Sequence, residues 1–259
     1  MTHVQKEIYL DLISYLEGYG FRLYKGKIWK YNSSIGYVMA IEVELTKWGT
    51  LNDIYVCASS FQSPISENYP PKNEPLLSTW LNTCSYLRNH EGINIYSMGN
   101  PSQSANATLK QQYNEIIPYL VKNIFPILQF DHDIKTYLKN MESLLIMECD
   151  AGFGVYGVRD VGLALDYFRF GYVEKALQIT NLNISFCEER IRKYQLSQLN
   201  LSTAKKEEII QKWEQKRKIV KNLAYNIRVH PEIIERKIEE NKLISNSCCH
   251  LFFTRYFIK

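Results

Sequence analysis

The apolar positions along this 259-residue chain change period once, near position 108. Before it, most apolar runs alternate or form short clusters of β-formers; after it they recur every three or four residues, as on one face of a helix. The first element is an exception. Val4, Ile8, Leu12, Ile13 and Leu16 share one helical face, Thr2 is placed to cap it, and Gly18 and Gly20 supply stop signals, which predicts a helix over 3–18. Phe21 to Tyr24 and Ile28 to Tyr31, joined through Lys25-Gly26-Lys27, predict a hairpin. Tyr37 to Leu45 and Ile54 to Phe61 extend it to a meander. The prolines between Gln62 and Pro75 predict a loop, because proline cannot donate to a strand ladder. Trp80 to Arg88 and Ile93 to Met98, on either side of NHEG, read as a last hairpin, with a helix over 76–88 as the competing reading.

Helical spacing governs the rest. Leu109, Tyr113, Ile116, Leu120 and Ile124 predict a helix running to Leu128, with a kink at Pro118. Asp131 is placed to cap the next, whose inner face holds Ile134, Leu138, Met141 and Leu145, and Asp160 to cap a short one reaching Phe168. Val173 to Tyr194 and Ile210 to Ile227 carry two long stripes, and Pro231 suits the first turn of a final helix. The class is therefore α+β: an N-terminal helix and a small antiparallel sheet over 1–107, then an all-helical extension over 108–259 packed on it. Within the extension, DVGLALDYFRFGYVEKALQITN resembles a tetratricopeptide-like helix pair. Stacked repeats need several units to bury a continuous core, and one unit predicts a single helical hairpin.

Composition adds limits. An apolar fraction of 46% and a charged fraction of 22% are those of a globular chain and exclude collagen-like or disordered readings. The opening residues lack the apolar core of a signal peptide, and no apolar run approaches the roughly 18 residues of a membrane span. Six cysteines scattered over the chain read as reduced thiols, so the expectation is a soluble cytoplasmic protein with no membrane association.

Candidate chemistry is sparse. Gly152, Gly154 and Gly157 match G-x-G-x-x-G, with Glu174 downstream, but the dinucleotide motif needs a strand before its turn, and helical spacing precedes this one. A bend between helices is the better reading, with no cofactor expected. Cys248-Cys249-His250 offers soft ligands on adjacent residues, whose side chains diverge, so no metal is expected. Cys149-Asp150 has no basic residue nearby in sequence to activate a thiolate. The five histidines form no catalytic spacing, and Glu42 and Glu44 would share a solvated sheet face. No catalytic residue is assigned.

Two surface features remain. Residues 204–259 carry 13 Lys/Arg against 7 Glu, a net of +6, while the remainder is net −2. Lys212, Lys216, Arg217 and Lys218 are candidate phosphate contacts, although interspersed glutamates favour an ordinary solvated helix. Aromatic residues make up 13% of the chain and suit a protein-binding face, for which Trp48, Trp80, Arg88 and His90 are the candidates.

The stretch GYGFRLYKGKIWKY, with Gly20, Phe21, Lys25, Gly26, Trp29 and Lys30, resembles the uncharacterised bacterial family catalogued as domain of unknown function 4304. The likeness covers about the first half of the chain. It implies a bacterial origin and an α+β front half, and brings no catalytic residues. The expected function is a non-enzymatic interaction module of immunity or adaptor type, binding a protein through sheet edge, loops or helical surface. The alternatives are a small-ligand enzyme with a cleft between the halves and a nucleic-acid binder using the basic helices.

Overall fold

A computed structural model describes residues 2–32, 34–60, 78–92, 104–129, 133–150, 159–196 and 202–243. For some of these, Trp80, His90, Cys149 and Asp150 among them, it describes the backbone alone. The architecture is α+β, as the periodicity predicts. Two compact units adjoin in sequence near Gly154.

The first unit opens with α1 (His3–Leu16), started by Thr2, whose Oγ1 accepts from the Gln5 amide at 3.2 Å. Ile8, Tyr9, Leu12 and Leu16 are buried along one face, each aliphatic member contributing on the order of 1.5–3 kcal/mol. After a 3₁₀ turn and Gly20, in the left-handed region at φ +80°, come β1 (Arg22–Tyr24) and β2 (Lys27–Asn32). Lys25 and Gly26, at φ +46° and +73°, form a two-residue primed turn, the hairpin connection whose twist matches that of the strands. β3 (Tyr37–Leu45), β4 (Leu51–Ser60) and β5 (Ser78–Asn82) complete an antiparallel sheet in the order β1-β2-β3-β4-β5. Trp29 is buried and donates from Nε1 to the Tyr24 carbonyl at 3.1 Å, bracing the hairpin. Lys30, 3% exposed, crosses to the Leu128 carbonyl at 3.4 Å and lies over the Phe21 ring.

The expected hairpin over 80–98 is not what forms at its start. Residues 78–82 are a strand and Thr83–Glu91 are helix α2, ended by Gly92 at φ +68°. Leu81 is buried from the strand, and Cys84 and Leu87 from α2, a spacing of three that a helix places on one face. The second half of that reading, 93–98, lies outside the described residues. Asn82 does not cap α2 with its side chain. Asp53, buried in β4, does so instead: its Oδ1 accepts from the Cys84 amide at 3.0 Å and from Thr83 Oγ1 at 3.5 Å, and also from its neighbour Ile54 at 2.7 Å.

Helices α3 (Ala105–Tyr119) and α4 (Ile134–Asp150) follow. Pro118 lies inside α3, and the chain continues as a π turn over Leu120–Ile124 and a 3₁₀ turn over Phe125–Leu128. The missing proline N–H loosens the ladder, so the single helix expected through Leu128 changes type twice, from α to π to 3₁₀. α4 is capped by Asp133, which accepts from Lys135 and Thr136; the expected cap, Asp131, lies outside the described residues. α3 packs on α1 and β4, and α4 on α2 and β5, with Tyr37 stacked on Tyr137 at 5.2 Å. The change of period at 108 therefore marks a change of secondary structure and not the edge of a compact unit; the expected division into 1–107 and 108–259 gives way to one near 154.

The second unit holds α5 (Arg159–Arg169), α6 (Val173–Leu196), α7 (Thr203–Val229) and a last helix, α8, over 231–243. α5 starts one residue before Asp160, so that residue lies in the first turn and not at the cap.

The trans-chain cap can be tested directly. Asp53→Ala leaves the Cys84 amide of α2 and the Ile54 amide without their acceptor and is expected to cost about 3 kcal/mol in urea unfolding, while Asp53→Asn, which keeps an oxygen there, costs about 1. A loss below about 0.5 kcal/mol for the alanine variant would show that the cap is dispensable.

Candidate functional site

The α5–α6 hairpin is closed by Gly171 at φ +85°, whose amide bonds to the Phe168 carbonyl while Tyr172 bonds back to Tyr167 at 2.8 Å. This six-to-one closure is the Schellman ending of a helix, and glycine takes its left-handed position without a Cβ penalty. α7 begins at Ser202, whose Oγ accepts from the Lys205 amide, and packs along α6. Val220, Ala224 and Ile227 are buried in it. His230 then turns the chain, its carbonyl accepting from Ile233, and Pro231 opens α8.

A groove of about 210 Å³ lies among α5, α7 and α8. Its walls are Val161 and Leu165 of α5, Ile219 and Leu223 of α7, and Ile234 and Ile238 of α8. Apolar surface continues onto the lip, where Ile219 is 56% and Ile233 38% exposed. Asn226 and Asn241 add amide groups, and among the described residues Lys237 is the one ionisable residue lining it. Among the described residues no ion pair is formed by Lys237, nor by Glu240 one turn further on.

The other cations of these helices behave differently. Lys205 and Lys212 flank Glu208 at 2.8 and 2.6 Å, and Lys221 and Arg217 reach Glu188 at 3.1 and 3.9 Å. The two lysines hold the Glu208 carboxyl down to about 2. Lys216 lies over the Trp213 ring at 4.6 Å, and Lys218 is simply exposed. The four predicted phosphate contacts thus do not form one unpaired basic patch.

The first unit has a second cavity, about 280 Å³, between α1 and α3. It is polar. Tyr113 donates to Asp11 Oδ2 at 2.6 Å, and Glu7 meets Lys110 at 3.7 Å and His3 at 3.3 Å. Burial, followed by the Asp11 bond, pushes the Tyr113 phenol far above its ordinary value. The protonated phenol, donating to Asp11, serves as a strut between α1 and α3. Burial also raises the Cys84 thiol, with Asp53 adding to it, which leaves that sulfur inert as a nucleophile. Tyr9, whose hydroxyl accepts from the Val43 amide, is pushed up to about 12 by burial.

Trp48, one of the predicted contacts, is 70% exposed in the β3–β4 turn with Lys47 over its ring at 4.4 Å. Arg88 is half-buried on α2, Trp80 belongs to β5 and His90 to α2. The side chains of Trp80 and His90 lie outside the description, so these four are not seen to converge. Gly152 to Gly157 and Cys248 to His250 also fall outside it, but the segment before the glycines is helix α4, not the strand a dinucleotide turn requires. Glu42 and Glu44 sit on the solvated strand positions expected of them, Glu42 pairing with Lys27 at 3.3 Å and Glu44 accepting from Tyr55 at 2.6 Å. Cys57, Cys84 and Cys187 are free thiols, all buried. No three His, Cys, Asp or Glu of the described residues come together as a metal-holding group, and no described helix is long and apolar enough to cross a membrane. Comparison with protein-family models, curated proteins and solved structures finds no significant match.

The Glu208 cluster gives a signed pH test. Its carboxyl is depressed in the folded chain, so its favourable contribution is present above the ordinary glutamate value and is lost as pH falls toward about 2. Carboxyl-carbon NMR titration is expected to place Glu208 lowest among the glutamates of α7, and Lys205→Ala with Lys212→Ala to return it to the ordinary range. An unshifted Glu208 in the unmodified protein would contradict the cluster.

Proposed function

We propose that the chain is a non-enzymatic interaction module that receives a protein partner in the groove of α5, α7 and α8. The observation carrying this reading is the continuity of that groove with exposed Ile219 and Ile233. Isolated exposed apolar residues need no explanation, but apolar side chains clustered around a concavity mark contact surfaces. Of the three routes expected from sequence, the helical surface is thus the best supported. Among the described residues the sheet's outer strands are short, three residues in β1 and five in β5, and less suited to strand addition.

Among the described residues, cavity size favours this reading over a small-ligand enzyme. Pockets that enclose drug-sized ligands span about 300–1,000 Å³, and both the groove, at about 210 Å³, and the α1–α3 cavity, at about 280 Å³, fall below that range. A shallow apolar groove instead accepts a few inserted side chains while its lip covers the surrounding surface. The nucleic-acid alternative loses support from the pairing of Lys212, Arg217 and Lys221 with glutamates. The resemblance to the bacterial family of unknown function favours a bacterial origin, and the buried free thiols suit a cytoplasm; within that setting we read the module as of immunity or adaptor type. Its motif residues supply turn and core positions, such as Gly26 and Trp29, and offer no chemistry of their own.

Ile219→Asp places a charge on the lip without entering the core and is expected to change stability by no more than about 0.5 kcal/mol. A partner co-purified from native lysate by the full chain is expected to be lost with Ile219→Asp and retained with Lys218→Ala. Equal recovery by Ile219→Asp, or no protein partner beside a measured turnover, would overturn the reading.

A further inference from the structure

Among the described residues the groove carries one charge, Lys237, on an apolar background, and that charge narrows what can occupy it. Resting on the docking reading above, we infer that the partner element is an amphipathic helix whose apolar stripe is flanked by an acidic side chain, seated so that its carboxylate meets Lys237.

Three features support this occupant. The walls come from three helices and are lined by aliphatic side chains, the surface into which a helix lays residues spaced i, i+3, i+4 and i+7. Lys237 lies between the apolar positions Ile233, Ile234 and Ile238 and has no ion-pair partner among the described residues. Filling the groove with purely apolar groups would draw water from an ammonium and give nothing back, whereas a carboxylate restores its hydrogen bonds. Basic partners are disfavoured by the same charge. Asn226 borders the groove as an amide, which can donate to or accept from a polar group flanking the stripe.

A display library of helical peptides tests this with the full-length chain as bait. Its members carry fixed leucines at i, i+4 and i+7, with the intervening positions randomised over Asp, Glu, Lys, Arg, Gln and Ala. Selection is expected to enrich Asp or Glu at one position beside the leucines. The selected peptide should lose about tenfold in affinity when its acid becomes Gln. With Lys237→Glu as bait, the preference at that position should reverse to Lys or Arg, with circular dichroism confirming that the variant folds. Binders that Ile219→Asp abolishes but that show no acidic preference, or a preference unchanged by Lys237→Glu, overturn the acidic-helix inference and leave the docking reading standing. Failure to select any binder sensitive to Ile219→Asp removes both. Dodecanoate is the competing probe: if it binds in the groove and displaces selected peptides at lower concentration than they bind, the site takes a small amphiphilic acid and the inference fails.

Discussion

Packing between α6 and α7 is the constraint from which the second unit takes its form. A 27-residue helix such as α7 runs about 40 Å, and it cannot bury every apolar residue against one neighbour. Val220, Ala224 and Ile227 form one buried stripe, and Leu223 is buried beside it. Ile219, Leu223 and Asn226 repeat the same spacing one residue earlier, and so face about 100° around the axis. That second stripe is what α5 and α8 wall in from the sides. The groove exists because α7 has two usable faces and α6 occupies only one.

The first unit is held by a different economy, in which polar side chains tie elements far apart in sequence. Gln112 of α3 accepts from the Leu51 amide, Tyr9 of α1 from Val43, and Lys30 of β2 donates to Leu128. Each of these groups is buried and would be unfavourable there without its partner. Together they fix the helices on the sheet at defined positions, a specificity that aliphatic contacts alone supply less sharply.

Much of this arrangement was legible in the residues. Lys25-Gly26 gives the primed turn, Thr2 and Pro231 mark helix starts, and the stripes of α6 and α7 fall where their period places them. Three things were less accessible. Trp80 to Arg88 mixes β-formers with helical spacing, so its residues fit both a strand and a helix over 76–88, and the residue that starts the helix is Asp53, thirty positions earlier. The break after Pro118 was foreseen as a kink, but whether a proline gives a bend or a change of helix type depends on what packs around it. The groove escaped notice because three helices share it; the surplus isoleucines at 219, 233 and 238, beyond what one stripe needs, were its only sequence trace.

The borrowed cap of α2 also shapes how this part of the molecule opens. Nine residues are too few to hold a helix in water unaided, and α2 takes its first hydrogen-bond acceptor from β4. The dependence runs one way. Fraying of α2 leaves the strand ladder between β3 and β4 intact, whereas any excursion that frees Asp53 releases the helix with it. Amide-exchange protection along the chain must therefore step downward from β4 to α2, whatever the stability of the remainder.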